Sequence, residues 1–380
     1  MKLVSLIEDH PLETRVPLTV NACKKLIKNG MNIFLPQGFG KKINQEDQAF
    51  QDIGVTMFPV NELDQHLASA DMVVRIRAPK AEDIKKLKEG SIHASFLDPF
   101  GSPELLDHFN ERKISAISFE MIPRTTLAQK MDFLSSQANL AGYVAVLRAA
   151  NEMHKIFPMM MTAAGTITPS KVFVIGAGVA GLQAIATAKR LGAKVEAFDT
   201  RPVVKEQVES LGAKFVEIDL GDTGQTSGGY AKELTPEQIK MQQELMAKTC
   251  EQSDVVITTA QLFGRPAPTI ITKEMVERMK PGSVIVDLAV ESGGNVDGSV
   301  VGESVDVNGV LIVGGANFAG KVSVHASDMF ANNVVNFIET FWSENSFNLS
   351  TEDEIISGCL MTKDGSTINP MFLDIMKRSA

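Results

Sequence analysis

The sequence is short of cysteine, of positive charge and of long apolar runs, and each shortage removes a class of protein. Its three cysteines, Cys23, Cys250 and Cys359, are odd in number, far apart and without a CxxC pair. That excludes a disulfide framework and a zinc knuckle and fits a reducing compartment. The histidines (His10, His66, His93, His108, His154, His325) are scattered without metal-ligand spacing, so no metal site is expected. Against 46 Asp and Glu stand 37 Lys and Arg, a net charge of -9. No overall field draws such a chain to nucleic acid or anionic lipid. The opening MKLVSLIEDHPLETR carries early acidic residues and no apolar stretch ending at a small-residue cleavage site. It reads as a strand entering the fold, not as a signal or transit peptide. One nearly uncharged run, Met159 to Ala188, is divided by Pro169 and a glycine pattern into loop, strand and helix, so no membrane span is expected. Internal repeats and low-complexity runs are also lacking.

What is present is an ordinary folding composition, 44% hydrophobic and 22% charged over 380 residues. Single cores stop growing near about 250–300 residues, which predicts two domains. From Met1 to Ser118, β-type runs (Lys2–Ile7, Asn32–Leu35, Met72–Ile76, Ser91–Leu97, Ile114–Ser118) alternate with helical stretches such as Val20–Lys28 and Ala81–Glu89. The rhythm returns at Lys171–Ile175, Lys194–Phe198, Lys214–Val216, Asp254–Thr258, Ser283–Asp287 and Val310–Val313. Alternating βα units imply parallel sheets covered by helices. Between the two series, Lys130 to Phe157 lacks proline and spaces apolar residues helically, long enough to bridge two domains. A last helix, Ala326 to Phe341, returns the chain to the first domain, with Trp342 to Ala380 as a tail upon it. The fold class is therefore α/β: two Rossmann-like domains with parallel sheets, linked by long helices. The first spans residues 1–135 plus 323–380, the second 136–322.

The stretch VFVIGAGVAGLQAIATAKRLGAKVEAFDTR runs strand, Gly176-x-Gly178-x-x-Gly181, helix, second strand and Asp199. Gly176 permits the turn, Gly178 admits a pyrophosphate to the backbone, and Gly181 lets helix and strand pack closely. The helix N-terminus, with Val179 and Ala180, offers unpaired N–H groups and a positive dipole end to phosphates. Asp199, followed by Thr200, stands where a carboxylate accepts the hydroxyls of an adenosine ribose, which favours NAD(H) over NADP(H). Arg201 suits adenine stacking or plain solvation. Upstream, in FEMIPRTTLAQKMDFLSSQANLAGY, Arg124, Gln129, Asp132 and Ser135 fall close together. On a continuous helix Gln129, Asp132 and Ser135 would share one face. Two readings stand for this cluster: a set of groups holding a nicotinamide and its ribose, or a capped helix start with one surface ion pair.

The stretches MDFLSSQANLAGYVAV, FPMMMTAAGTITPSKVFVIGAGVAGLQAIATAKRLGAKVEAFDTR, KEQVESLGAKF, GGYAKE and MKPGSVIVDLAVESGGN resemble domain I, the peripheral NAD(H)-binding component of proton-translocating transhydrogenase, a relative of alanine dehydrogenase. Similarity runs from ETRVPLT to the SGC around Cys359. The resemblance implies that Arg124, Gln129, Asp132 and Ser135 line the nicotinamide end of the NAD site. It places Val179 in the glycine turn, Asp199, Thr200 and Arg201 at the adenosine ribose, and Gln242 and Gln261 near the cofactor, the last where the family more often has an apolar residue. Gly229 and Tyr230 lie in GDTGQTSGGYAKEL, which is similar to the family's loop closing over bound nucleotide. Further implications are an NADP(H)-binding domain III partner, membrane-spanning partners that couple transfer to proton passage, a homodimer, and a cytoplasmic place on the face of the inner membrane. With its sequence ending at Ala380, the chain resembles the form in which domain I is a separate alpha subunit.

Two chemistries share this fold and cofactor. An alanine-type dehydrogenase needs a proton acceptor and a cation for the substrate carboxylate. In the family's dehydrogenases a lysine and a histidine fill those tasks. The corresponding runs here, VVRIRAP and HASFLDPFG, carry Arg75 and Phe96 instead. Phe96 transfers no proton, and strand alternation turns His93 to the opposite face. Arg15 remains where the dehydrogenases bind the substrate carboxylate, and a structural ion pair explains it equally well. Direct hydride transfer between two nicotinamides needs no acid or base, only placement and exclusion of water. A non-catalytic redox-sensing module would keep the glycine turn and Asp199 yet need no polar cluster.

Overall fold

Strands buried along their whole length mark the middle of each sheet. Met72–Val74, Ile92–Ser95 and Ser115–Ser118, and later Val255–Thr258 and Val284–Asp287, have every residue buried. Runs buried on both faces belong to parallel sheets covered by helices on each side. The computed structural model describes residues 1–217 and 235–379. Contacts divide the chain into two units, Met1–Gln137 with Val322–Ala380, and Ala138–Lys321.

The first unit contains β1 (Lys2–Val4), β2 (Asn32–Pro36), β3 (Thr56–Phe58), β4 (Met72–Val74), β5 (Ile92–Ser95) and β6 (Ser115–Ser118), all parallel. The second opens with an exposed hairpin, β7 (Met160–Thr162) and β8 (Gly165–Ile167). Its sheet holds β9 (Lys171–Ile175), β10 (Lys194–Phe198), β11 (Lys214–Phe215), β12 (Val255–Thr258), β13 (Val284–Asp287), β14 (Glu303–Val307) and β15 (Val310–Gly314) in the order β11-β10-β9-β12-β13-β15-β14. The tail adds β16 (Trp342–Ser343), β17 (Ser346–Phe347), β18 (Leu360–Lys363) and β19 (Ser366–Thr367). The first sheet is then ordered β19-β18-β6-β5-β4-β1-β2-β3.

Parallel sheets follow from the βα rhythm, but each sheet also carries antiparallel strands at one edge, where β14 pairs β15 and β18 pairs both β6 and β19. The turns explain the reversals. Asn308 and Gly309, at φ 54 and 84, join β14 to β15, and Asp364 and Gly365, at φ 51 and 80, join β18 to β19. Two successive positive φ values make the tight hairpin turn that Asn-Gly and Asp-Gly favour. Thr362, fully buried on β18, donates its hydroxyl to Ile114 O at 2.7 Å and accepts from Ala116 N at 3.1 Å, fastening the tail to the first sheet.

Five helices matter for the site: α1 (Val20–Lys28), α2 (Phe133–Glu152), α3 (Val179–Arg190), α4 (Pro236–Gln252) and α5 (Ser323–Phe341). The chain passes between units within α2, after Gln137, and just before α5, after Lys321. In the first unit, the start of α2 and the middle of α5 meet in an aromatic cluster. Phe119 stacks on Phe133 at 4.0 Å between centroids, and Phe330 meets Phe133 at 4.9 Å and Phe96 at 5.7 Å, edge to face.

Phe330 is fully buried. Phe330→Ala is expected to destabilise the first unit by about 3–5 kcal/mol, from lost transfer energy and the cavity left behind. Denaturant titration checks this, and a cost below about 1 kcal/mol would show that the cluster collapses to fill the gap.

Candidate functional site

Parallel strands bring their carboxyl ends to one edge, and in the second unit that edge collects the glycine turn, the acid and two polar loops. Beyond β9, Gly176 adopts φ +95, and a Cβ there would lie 2.5 Å from Thr259 Oγ1. At Gly181 a Cβ would fall 1.8 Å from the carbonyl oxygen of Gly176, so the first turn of α3 rests directly on the backbone. Gly178, the residue preceding α3, faces open space, since a Cβ would meet nothing within 4 Å. The N-cap residue Gly178 has no side chain with which to cap α3. The N–H groups of Val179, Ala180 and Gly181 therefore have no intrahelical partner, at the positive end of the helix dipole. Open room in front of unpaired donors fits a pyrophosphate.

Asp199 follows β10 and closes this turn from the side. Its Oδ2 accepts from Ala177 N at 2.7 Å and from Arg201 Nη2 at 2.9 Å, and its Oδ1 accepts from Arg201 N at 2.8 Å and Arg201 Nε at 2.9 Å. Arg201 thus folds back onto the acid and is held there, not left to plain solvation. Residues two apart past a strand end permit this return, and the pairing raises the Arg201 pKa above its ordinary value. Thr200, between them, is half-buried.

Beyond β12, Thr259 donates its hydroxyl to Gly176 O at 3.0 Å. The loop carrying exposed Gln261 is held by fully buried Asn295, whose Nδ2 donates to Ala260 O at 2.9 Å and to Pro268 O at 2.8 Å, while its Oδ1 accepts from Ala260 N at 3.0 Å. Asp287, at the end of β13, accepts from Asn295 N at 3.0 Å and from Ala289 N at 2.9 Å. Sequence reading missed Thr259, Asp287 and Asn295 as builders of this edge. The only signal was a polar residue at each strand end, as in VIVDLAVESGGN. Gln242 lies in α4, and its side chain, like Gly229 and Tyr230, is outside the described residues.

Arg124, Gln129, Asp132 and Ser135 belong to the first unit, the glycine turn and Asp199 to the second. Arg124 and Gln129 are exposed. Gln129 lies in a tight turn, Leu127–Met131, and Asp132 is extended at φ -78, ψ 90 before α2 begins. The three residues therefore do not share one helix face. Asp132 leaves the helical path to cap α2, its Oδ1 accepting from Ser135 N at 2.8 Å and its Oδ2 from Ser135 Oγ at 2.6 Å. A cap of this kind stabilises a helix start by satisfying an orphan donor.

In the first unit the strand order reverses between β1 and β4, where an α/β sheet usually opens a ligand crevice. Here ion pairs fill it. Arg75, just past β4, donates from Nη2 to Glu8 Oε2 at 2.7 Å, with both side chains buried. Arg15 donates to both oxygens of Glu13, from Nε at 2.8 Å and Nη2 at 2.7 Å, and from Nη1 to Gln137 Oε1 at 2.9 Å, and Arg77 Nε adds a 2.9 Å bond to Glu13. Arg15 is thus committed to a structural ion pair. Phe96 sits in the aromatic cluster with Phe330. His93 is buried, with Nε2 3.0 Å from Ser95 Oγ, and burial together with the charge of Arg75 pushes its pKa down to about 3.

Residues 6–141 match the family described as Alanine dehydrogenase/PNT, N-terminal domain, and residues 145–370 match Alanine dehydrogenase/PNT, C-terminal domain. The chain is 44% identical over 379 residues to the first portion of the NAD(P) transhydrogenase alpha subunit of Rhodospirillum rubrum, a match covering 97% of this chain and 98% of the relative. It is similar to the crystal structure of transhydrogenase from Sinorhizobium meliloti, with a TM-score of 0.83 and 40% identity over 97% of this chain and 99% of that one. An L-alanine dehydrogenase shares the fold, with a TM-score of 0.81 at 20% identity over 100% of both chains.

Burial alone would raise the Glu13 carboxyl, but the hydrogen bonds and charge of Arg15, with Arg77 added, hold it down at about 2 against an ordinary 4.5. A depressed pKa contributes stability above the unfolded value and loses it as pH falls through the folded one. Between pH 4.5 and about 2, protonating Glu13 is expected to cost the chain about 3 kcal/mol. Glu13→Gln should flatten that part of the stability curve, measured by denaturant unfolding against pH, and an unchanged slope would remove Glu13 as its source.

Proposed function

Because the chain belongs to the alanine dehydrogenase/PNT family and, within it, to the NAD(P) transhydrogenase alpha subunits, we propose that it is the NAD(H)-binding component of a proton-translocating transhydrogenase. It passes a hydride directly between NAD(H) on this chain and NADP(H) on a partner, domain III. The observation that carries the reading is the 44% identity spanning 97% of the chain. Bound NAD(H) supplies the hydride at its nicotinamide. The turn of Gly176, Gly178 and Gly181, with the N–H groups of Val179 and Ala180, receives the pyrophosphate. Asp199 accepts the ribose hydroxyls, sharing its oxygens with Arg201 beside Thr200. Arg124, Gln129, Asp132 and Ser135 orient the nicotinamide end. Gly229, Tyr230, Gln242 and Gln261 complete the cofactor contacts. With no proton to move, these residues act by placement and by keeping water out.

The alternative, an alanine-type dehydrogenase, is opposed by three arrangements. Phe96 is packed among phenylalanines, Arg75 is bound to Glu8, and Arg15 is bound to Glu13 and Gln137. At that crevice the carboxylates of Glu8 and Glu13 and the cations of Arg75 and Arg15 are bound to one another. Proton coupling comes through membrane-spanning partners, which would hold this chain on the cytoplasmic face of the inner membrane. Among the described residues no helix is long and apolar enough to cross a membrane. A homodimer belongs to the same reading. The apolar hairpin β7–β8, with Met161 72% and Ile167 49% exposed, is surface that a second copy would remove from water.

The purified chain is expected to leave NADH unoxidised with pyruvate and ammonia, and to oxidise it when an NADP(H)-loaded domain III component is the only other reactant. Turnover in the first mixture would instead establish the dehydrogenase. Gln129→Ala should lower hydride transfer about ten- to a hundred-fold while NADH still binds, as loss of orientation does. Unchanged transfer would remove Gln129 from the site. In sedimentation the chain should run as a dimer and Met161→Asp as a monomer, and an unshifted variant would place the interface elsewhere.

A further inference from the structure

The turn that carries Gln129 and the cap Asp132 is held by two asparagines that lie outside the nicotinamide cluster. The carbonyl oxygen of Lys130, between Gln129 and Asp132 in sequence, accepts from two side-chain amides of α5: Asn336 Nδ2 at 2.7 Å and Asn333 Nδ2 at 3.1 Å. Asn333 and Asn336 are one helical turn apart on the same face. A carbonyl oxygen has two lone pairs, and two donors together fix its direction. Beyond the cap, Gln137 Nε2 donates to Ala326 O of α5 at 3.1 Å. Helix α5 therefore grips the segment on both sides of Asp132, within the first unit.

Asn333 shows that stability alone does not explain the grip. It is 7% exposed, and its Oδ1 is buried with no hydrogen-bond partner among the described residues. A half-satisfied buried amide is costly, whereas an apolar side chain of similar volume would pack there without that cost. What the amide provides is a donor aimed at Lys130 O.

We propose that Asn333 and Asn336 are positioning residues for hydride transfer: by clamping Lys130 O they set where Gln129 and Asp132 stand. The inference rests on the transhydrogenase reading, in which placement of the nicotinamide is the whole of the chemistry this chain performs. Small displacements then act on the rate of transfer more than on binding.

The test uses the full chain with an NADP(H)-loaded domain III component, comparing wild type, Asn336→Ala, Asn336→Gln and the double variant Asn333→Ala/Asn336→Ala. Single-turnover transfer, NADH Kd and Tm are measured for each. Asn336 is only partly buried, so Asn336→Ala should keep the wild-type Tm and NADH Kd while transfer falls about ten-fold. Asn336→Gln, which keeps the amide, should recover some of the rate, and the double variant should lose more. Unchanged transfer in the double variant overturns the clamp, as does a loss that appears only together with a lowered Tm. A wild-type chain that transfers nothing overturns the transhydrogenase reading itself, and the clamp with it.

Discussion

Helix α3 lies against β9 only because position 181 has no side chain: a Cβ there would fall 1.8 Å from the carbonyl oxygen of Gly176. A second glycine meets the same turn from another direction. At Gly142, on α2, a Cβ would lie 2.1 Å from Ala180 O. Two helices thus touch the turn backbone to backbone, and what the turn presents outward is the open face of Gly178 and the unpaired N–H groups that begin α3. Asp199, bonded to Ala177 N, locks the turn to the next strand. The surface offered at this turn is therefore made of backbone held in place by absent side chains, and a Cβ at Gly181 or Gly142 would break it.

The two units obey one topological rule with opposite results. Each sheet reverses strand order between adjacent parallel strands, β9 and β12 in the second unit, β1 and β4 in the first. At the second unit's reversal stand glycines and a hydroxyl, Thr259, bonded to Gly176 O. At the first unit's reversal stand Glu8, Glu13, Arg15 and Arg75, buried and paired. In buried pairs of this kind desolvation offsets much of the attraction, yet removing one partner leaves a buried charge uncompensated. Their effect is to occupy the crevice with charges already matched to one another.

Much of this was legible along the chain because it depends on neighbours in sequence. The βα rhythm, the glycine turn and the acid at the next strand end are local patterns, and the strands around them stand close to where the patterns put them. The Asn308-Gly309 and Asp364-Gly365 turns were local signals too, and they mark the antiparallel edges that a reading in βα units passes over. Other features were not legible because their partners are distant. Asp132 leaves the helix to bond Ser135, so spacing on an ideal helix misplaces Gln129. Arg201 turns back on Asp199 because that carboxylate is also fixed by Ala177 N. Asn295, Gln137 and Asn333 gain their meaning only from loops and helices far away in sequence.

By itself the sequence determined the fold class, the family and the presence of a glycine turn with its acid, since each is written in the order and spacing of residue types. The tertiary structure decided which polar groups are already committed to one another. Arg15 and Arg75 look alike in sequence to cations awaiting a carboxylate, and only their burial beside Glu13 and Glu8 shows them paired. The physical reason is that a hydrogen bond or ion pair is set by distance and desolvation, and neither is a property of one residue or of its neighbours along the chain.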